Sequence, residues 1–296
     1  MSHFLLPGLE IAQKTKHESN NLVQAEEIER IEIELLLEAM FRYYGYDFRN
    51  YALPFIQRRI NHRVQIERLS SISALQEKIL REPSVMAKLL SDFSINVTEM
   101  FRDPSFFKSI RTKVVPLLKN QPSIKIWHVG CSSGEEVYSM AILLHEEGIY
   151  DKTRIYATDI NKNILEKAKQ GTFPLEGMKL FTKNYFEAGG KQSFSEYYKA
   201  IDDKVCFHPF LKKNLIFAQH NVVSDHSFNE FDMIICRNVL IYFNKNLQND
   251  VHQLIYESLS ASGFLGLGKR EGVKFTRHEN KYGEFDGTER IYQKVK

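Results

Sequence analysis

The fold turns on Ile124–Ser139, IKIWHVGCSSGEEVYS. Three β-formers alternate with Lys125 and run into Val129-Gly130. A tight turn of small residues follows, and two acids open an amphipathic run. The pattern predicts a buried strand, a loop that permits close backbone approach, and a helix whose N-terminus faces a ligand. In doubly wound α/β folds such a unit binds cofactors at the carboxyl ends of the strands. No Gly-x-Gly-x-x-Gly is present and no Lys-Ser/Thr pair follows the turn, which argues against a dinucleotide fold or a P-loop. Glu135 and Glu136 stand where a phosphate would lie, and paired carboxylates repel pyrophosphate. A cationic or zwitterionic ligand suits the turn better, and S-adenosylmethionine, with its ammonium and sulfonium, is the common cofactor of that kind.

Downstream, Arg154–Thr158 reads as a second strand ending at Asp159, and Asn161–Gln170 as a short helix closed by Gly171. Leu215–His220 and Phe231–Cys236 read as further strands, followed by a helix over Asn246–Leu259 and a strand over Gly263–Gly268. This βα alternation argues for a parallel sheet. Phe173 to Lys213 breaks the rhythm and reads as an insertion, with a hairpin expected around Gly189-Gly190. The tail GEFDGTERIYQKVK reads as a terminal strand pair.

Upstream the character is helical. Residues 1–25 are polar and read as a mobile leader. Helical spacing runs from Glu26 to Tyr44 and ends at Gly45, and its acids leave the first fifty residues with nine acids against five Lys/Arg. Pro54 suits the start of a basic helix, Ser70–Leu80 and Pro83–Asp92 are two more, and PSFFKSIRTKVVPLLKN is expected as one continuous helix. The domains expected are therefore a helical unit over 26–95, a linker and helix start over 96–110, and the α/β domain over 111–296 carrying its insertion at 173–213.

The chain of 296 residues has ordinary hydrophobic (43%) and charged (26%) contents, and its formal charge of +3 makes no global case for nucleic acid. Neither a bilayer-spanning run nor a signal-peptide core is evident, and a cytoplasmic setting is the default. Cys131, Cys206 and Cys236 are odd in number and widely spaced, which fits neither a disulfide framework nor a zinc site, and the ten histidines show no metal-ligand spacing.

Three positions carry the chemistry. Asp159 ends the second strand 25 residues beyond Gly134, where a carboxylate commonly takes the vicinal hydroxyls of a ribose; it could instead cap the next helix beside Asn161. Asn238 follows ICR at another strand end on the same carboxyl edge, although Arg237 and Asn238 could simply terminate that strand. Arg102, in NVTEMFRDPSFF, is a fixed cation with a planar fork suited to a carboxylate, or else a solvated boundary residue before the helix start at Asp103-Pro104.

NVTEMFRD, WHVGCSSGEEVYSMA, YATDINKNILEKAKQGTFP and FDMIICRNVLIYF together, in this order and spacing, resemble the chemotaxis receptor methyltransferases, the CheR family, over roughly residues 30–296. The resemblance implies a Rossmann-like class I methyltransferase domain, an N-terminal all-helical domain and a small inserted antiparallel β-subdomain. It implies methyl transfer from S-adenosylmethionine, without a metal, to glutamate side chains of chemoreceptors. By motif, Asn96, Thr98 and Arg102 are similar to cofactor-site residues of the linker, Glu135 to the acid near the methionine moiety, and Asp159 to the ribose ligand. Asn221-Val222 and Asn238-Val239 resemble the two dipeptides that complete the pocket, and Tyr242 the aromatic near the transferred methyl. Val137 departs from the proline usual after the paired acids, and Met100 from a frequent aromatic. In some members the β-subdomain docks a receptor's C-terminal peptide.

A glutamate carboxylate is already anionic at neutral pH, so the displacement at the sulfonium needs no general base. Arg102 and Tyr242 are expected to orient the acceptor. Arg58, Arg59 and Arg63 could share a broad helix face that attracts an acidic receptor bundle, or could pair with the acidic helix Glu26–Glu38. A monomer is expected. The competing readings are a methyltransferase for a small acid or a nucleic-acid base, a cofactor-binding regulatory module without catalysis, and a CheR-type enzyme acting outside chemotaxis.

Overall fold

The computed structural model describes residues 7–93 and 98–295, with side chains from residue 23 onward. The chain divides into two compact units, up to residue 93 and from residue 94. The first comprises α1 (Pro7–Tyr44), α2 (Leu53–Ile66), α3 (Ile72–Arg81) and α4 (Pro83–Phe93). Residues from 7 onward continue the helix expected from Glu26, so the backbone of most of the polar leader is placed in α1. Pro54 sits in the first turn of α2, and Ser71 caps α3 by accepting the Ala74 N–H at 3.1 Å. Ile33, Leu36, Met40, Ile60, Leu75 and Leu89 form the buried centre of this unit.

Arg63 departs from the shared basic face expected of α2. It is buried, with Asp92 at 2.7 Å and Glu67 at 3.4 Å, while Arg58 is exposed and Arg59 half-buried. The three side chains point to different surroundings and do not form one shared basic face. The acidic partner on α1, Glu29, instead takes hydrogen bonds from Gln57 and Asn61.

The second unit opens with α5 (Pro104–Ser109) and α6 (Val115–Leu118), joined by a π-helical turn over Ile110–Val114 rather than as one α-helix. Pro116 has no N–H to give and its ring crowds the preceding turn. The chain responds by widening, and the Val115 N–H reaches the Ile110 carbonyl.

The sheet strands are β1 (Ile124–Val129), β2 (Thr153–Asp159), β6 (Leu215–Gln219), β7 (Phe231–Cys236), β8 (Leu259–Leu267), β9 (Tyr282–Asp286) and β10 (Ile291–Lys294). Their order is β6-β2-β1-β7-β8-β10-β9. The first five are parallel, and β10 and β9 close the edge antiparallel. β1 and β7 are buried along almost their whole length, as central parallel strands with covered faces require. The helices around the sheet are α7 (Glu135–Glu146), α8 (Lys162–Gln170) and α11 (Lys245–Ser258). Because the chain leaves β1 for β2 on one side and returns to β7 on the other, the crevice at the carboxyl end of β1 is the topological switch point.

Between α8 and β6 lies the inserted part: β3 (Thr172–Pro174), α9 (Met178–Glu187), β4 (Tyr198–Ile201), β5 (Lys204–Phe207) and α10 (Pro209–Lys212). The three strands form a separate antiparallel sheet, β3-β5-β4. The hairpin lies at Asp202-Asp203, not at Gly189-Gly190, which instead closes α9. Gly190 is packed against the Tyr185 ring with no room for a side chain. Glu146, at the end of α7, anchors this insertion by accepting from the Tyr185 and Tyr197 hydroxyls at 2.5 and 2.9 Å.

Candidate active site at the switch point

Thr98, Arg102, Gly130, Cys131, Ser132, Glu136, Arg237, Asn238 and Tyr242 surround a pocket of about 50 Å³ at the carboxyl ends of β1 and β7. Three stretches meet there: the segment before α5, the β1–α7 turn, and the loop after β7. Arg102 lies between Phe101 and Asp103, both left-handed at φ 51° and 56°. Phe101 is held by its N–H to Ser139 Oγ at 2.8 Å and by ring contacts with Phe107 and Tyr185. Asn184 of α9 donates to the Met100 carbonyl at 3.1 Å. Ser132 and Asn238 are also left-handed, at φ 52° and 61°. Four of the nine non-glycine residues of positive φ among the described residues therefore sit in or beside this one pocket, where packing over-determines conformations that cost energy elsewhere.

The glycine turn works by proximity. A Cβ on Gly130 would lie 2.7 Å from Val239 Cγ2, so Val239 shapes the turn from the facing loop. Asp159 lies beneath the turn: its two oxygens accept the N–H groups of Ser132 (3.0 Å) and Asn161 (2.9 Å). Burial raises its carboxyl pKa against the pull of these donors.

The two acids of the motif have separate surroundings. Glu135 is buried, takes a hydrogen bond from Ser133 Oγ at 2.6 Å, and is pushed up by burial to about 7. Burial acts in the same direction on Glu136, but His128 Nδ1 at 3.1 Å and the Arg237 guanidinium at 2.7 Å outweigh it and hold the carboxyl at about 2. Arg237 also binds Asp103 at 2.5 Å and lies 4.2 Å from the Phe106 ring centroid. Burial pushes the Cys131 and Cys236 thiols well up, which disfavours a thiolate nucleophile.

Of the residues expected from the sequence, Thr98, Arg102, Asn238 and Tyr242 line the pocket, Val239 packs on its glycine, and Asp159 reaches it through Ser132. Asn96 lies outside the described residues. Glu135 is not among the lining residues; Glu136 is. Asn221 and Val222 follow β6, and Asn221 is occupied with its own turn, accepting from Val223 N and donating its N–H to Asp225. Sequence reasoning set both acids at the turn but gave the site role to Glu135 rather than Glu136, and it missed Asp103 and, above all, Glu271. The last is buried in the loop after β8, and its two oxygens accept the N–H groups of Asn238, Val239, Leu240, Ile241 and Gly268 at 2.7 to 3.4 Å. It thereby fixes the turn that presents Asn238 and Tyr242. No local pattern marks an acid for that task, since all but one of its partners lie some thirty residues away.

The residues present fit S-adenosylmethionine. The Asp159 carboxylate sits under the turn, where a ribose diol would be taken, and Glu136 lines the pocket at the start of α7 as an acid toward the cofactor's positive charges. Bound there, the cofactor supplies an electrophilic methyl group on sulfur. Among the described residues no three His, Cys, Asp or Glu side chains gather as a metal site.

Comparison with known proteins agrees. The family model for the S-adenosylmethionine-binding domain of CheR methyltransferases matches residues 96–291, and that for their all-alpha domain matches residues 31–94. The chain is 47% identical to Cher3 of Pseudomonas putida over 264 residues, covering 89% of this chain and 97% of the relative. It is 26% identical to chemotaxis protein methyltransferase 2 of Pseudomonas aeruginosa (84% and 89% covered) and 26% to the chemotaxis protein methyltransferase of Listeria monocytogenes (77% and 85%). With both of its domains matched, the chain belongs to the CheR methyltransferase family, enzymes dependent on S-adenosylmethionine.

Proposed function

We propose that this enzyme esterifies glutamate side chains of methyl-accepting chemoreceptors, in the cytoplasm, as part of sensory adaptation. The observation that carries the reading is that Arg102 and Tyr242, from separate segments, border one pocket with the glycine turn. An acceptor carboxylate is ionised at neutral pH, so alignment and exclusion of water suffice and no proton need be removed. Arg102 orients the carboxylate through its fork, and Tyr242 and Asn238 limit its approach to the sulfonium methyl. Excessive pairing would weaken the nucleophile, so these groups act as guides rather than as strong binders. Relatives named as chemotaxis protein methyltransferases support this acceptor class.

Two further roles belong to the same reading. Exposed Arg58 and half-buried Arg59 on α2 attract an acidic receptor bundle, chiefly through association rate and specificity. The small antiparallel sheet offers edges on which a receptor's C-terminal peptide docks. The test is incubation with methyl-tritiated S-adenosylmethionine and receptor-containing membranes, followed by alkali. Release of volatile methanol from receptor bands supports carboxyl esters, whereas alkali-stable label, or label outside the receptors, rejects them.

A further inference from the structure

The turn that presents Asn238 and Tyr242 to the methyl-transfer pocket also borders a second cavity. Leu240 and Ile241 line it, it measures about 380 Å³, and its volume is in the range that takes small organic ligands. Its walls carry Lys269, Arg270, Lys274 and Arg290. Lys269 is paired with Asp103 at 2.9 Å. Arg270, Lys274 and Arg290 have no ion pair among the described residues. Glu271 is the one acid lining the cavity, and both its oxygens are committed to the backbone N–H groups of the turn and of Gly268. Three unpaired cations around one concavity repel each other, and a polyanion bound there relieves that repulsion. His252, buried at the same wall, has an Nδ1 without a hydrogen-bond partner among the described residues.

We propose that this cavity is a second ligand site, for a small phosphate-bearing anion of the nucleotide class. Two arginine forks and a lysine match the oxygens of a pyrophosphate. Leu240 and Ile241 offer an apolar wall for an organic body. Gln248, whose amide nitrogen already donates to the Leu240 and Phe243 carbonyls, offers its oxygen. S-adenosylmethionine, a net cation, is disfavoured by the same charges. An acidic protein segment brings one charge per side chain and suits a flatter surface. The proposal does not depend on which acceptor receives the methyl group.

The test is calorimetric titration of the full chain with ADP at low salt, with S-adenosylhomocysteine saturating so that the adenosine site is already filled. The proposal expects ADP to bind, and Arg270→Ala with Arg290→Ala to weaken it by roughly tenfold or more while S-adenosylhomocysteine binds as in the parent. Lys274→Glu, at an exposed position, is expected to weaken ADP in the same direction and guards against misfolding of the double variant. Failure of ADP to bind the parent, or equal binding by parent and variants, overturns the proposal. So does tight binding of a glutamate-rich helical peptide at the cavity in place of ADP.

Discussion

Glu136 Oε2 lies 2.7 Å from the guanidinium of Arg237, joining the first turn of α7 to the end of β7 across the cofactor pocket. The Arg237 side chain is almost fully buried and also binds Asp103 at 2.5 Å, so one guanidinium fixes all three segments of the site. Removing one member of such a pair leaves a buried charge without its counter-ion, at a cost of about 3–5 kcal/mol. Arg237→Leu is expected to lower the melting temperature and abolish S-adenosylhomocysteine binding. Arg237→Lys, which keeps the charge but loses the fork, is expected to fold and bind more weakly. Thermal melts and calorimetry on both variants check this.

Glu271→Gln replaces one acceptor oxygen by an NH₂ group that faces backbone N–H donors. The turn Asn238–Ile241 loses part of its anchor, so turnover is expected to fall more than cofactor affinity. Loss of a charge-assisted hydrogen bond is worth roughly 1.5–3 kcal/mol. Steady-state kinetics together with a melt separate this positioning effect from general unfolding.

Glu135 provides a pH test. Its folded pKa is raised from 4.5 to about 7, so its stabilising contribution is full below 4.5 and is lost as pH rises through about 7. Glu135→Gln is therefore expected to leave stability nearly unchanged at about pH 4 and to raise it at about pH 8, by at most about 3 kcal/mol. Because Glu136, not Glu135, lines the pocket, S-adenosylmethionine affinity of the variant is expected to stay close to that of the parent at both pH values. Melts and titrations at the two pH values measure both.

Arg63 and Arg58 separate structure from recognition on one helix. Arg63→Ala leaves half-buried Asp92 without its counter-ion, while Glu67 keeps Lys78 and Lys88, and is expected to destabilise the helical unit. Arg58→Glu, at an exposed position, is expected to change the melting temperature little and to slow receptor methylation, most strongly at low salt. Melts and initial rates at two salt concentrations distinguish them.

Central strands and helix caps were legible because their causes are local. Phe231–Cys236 is an apolar run bounded by polar residues, and its limits match those read from the sequence. Gly171 closes α8 as expected, while the N-cap is Asn161, accepting from the Asn163 and Ile164 N–H groups, and not Asp159. What stayed hidden depends on distant partners. The π turn at Ile110–Val114 follows from how the chain absorbs Pro116 within a buried helix. Gly189-Gly190 carries a hairpin signature, yet the paired strands lie beyond it, at Tyr198–Ile201 and Lys204–Phe207. Arg63 looked like its neighbours until Asp92, 29 residues later, took it inward. Within the acidic pair, spacing could not tell which carboxylate faces the pocket, because only the position of Arg237 distinguishes Glu136 from Glu135.

Tandem mass spectrometry of a purified chemoreceptor, incubated with this enzyme and S-adenosylmethionine, tests the central claim most directly. The account predicts alkali-labile methyl groups on glutamate side chains of the receptor's cytoplasmic helices, and their loss with Arg102→Ala. Methyl groups on other side chains, or an unmodified receptor despite tight S-adenosylhomocysteine binding, would contradict it.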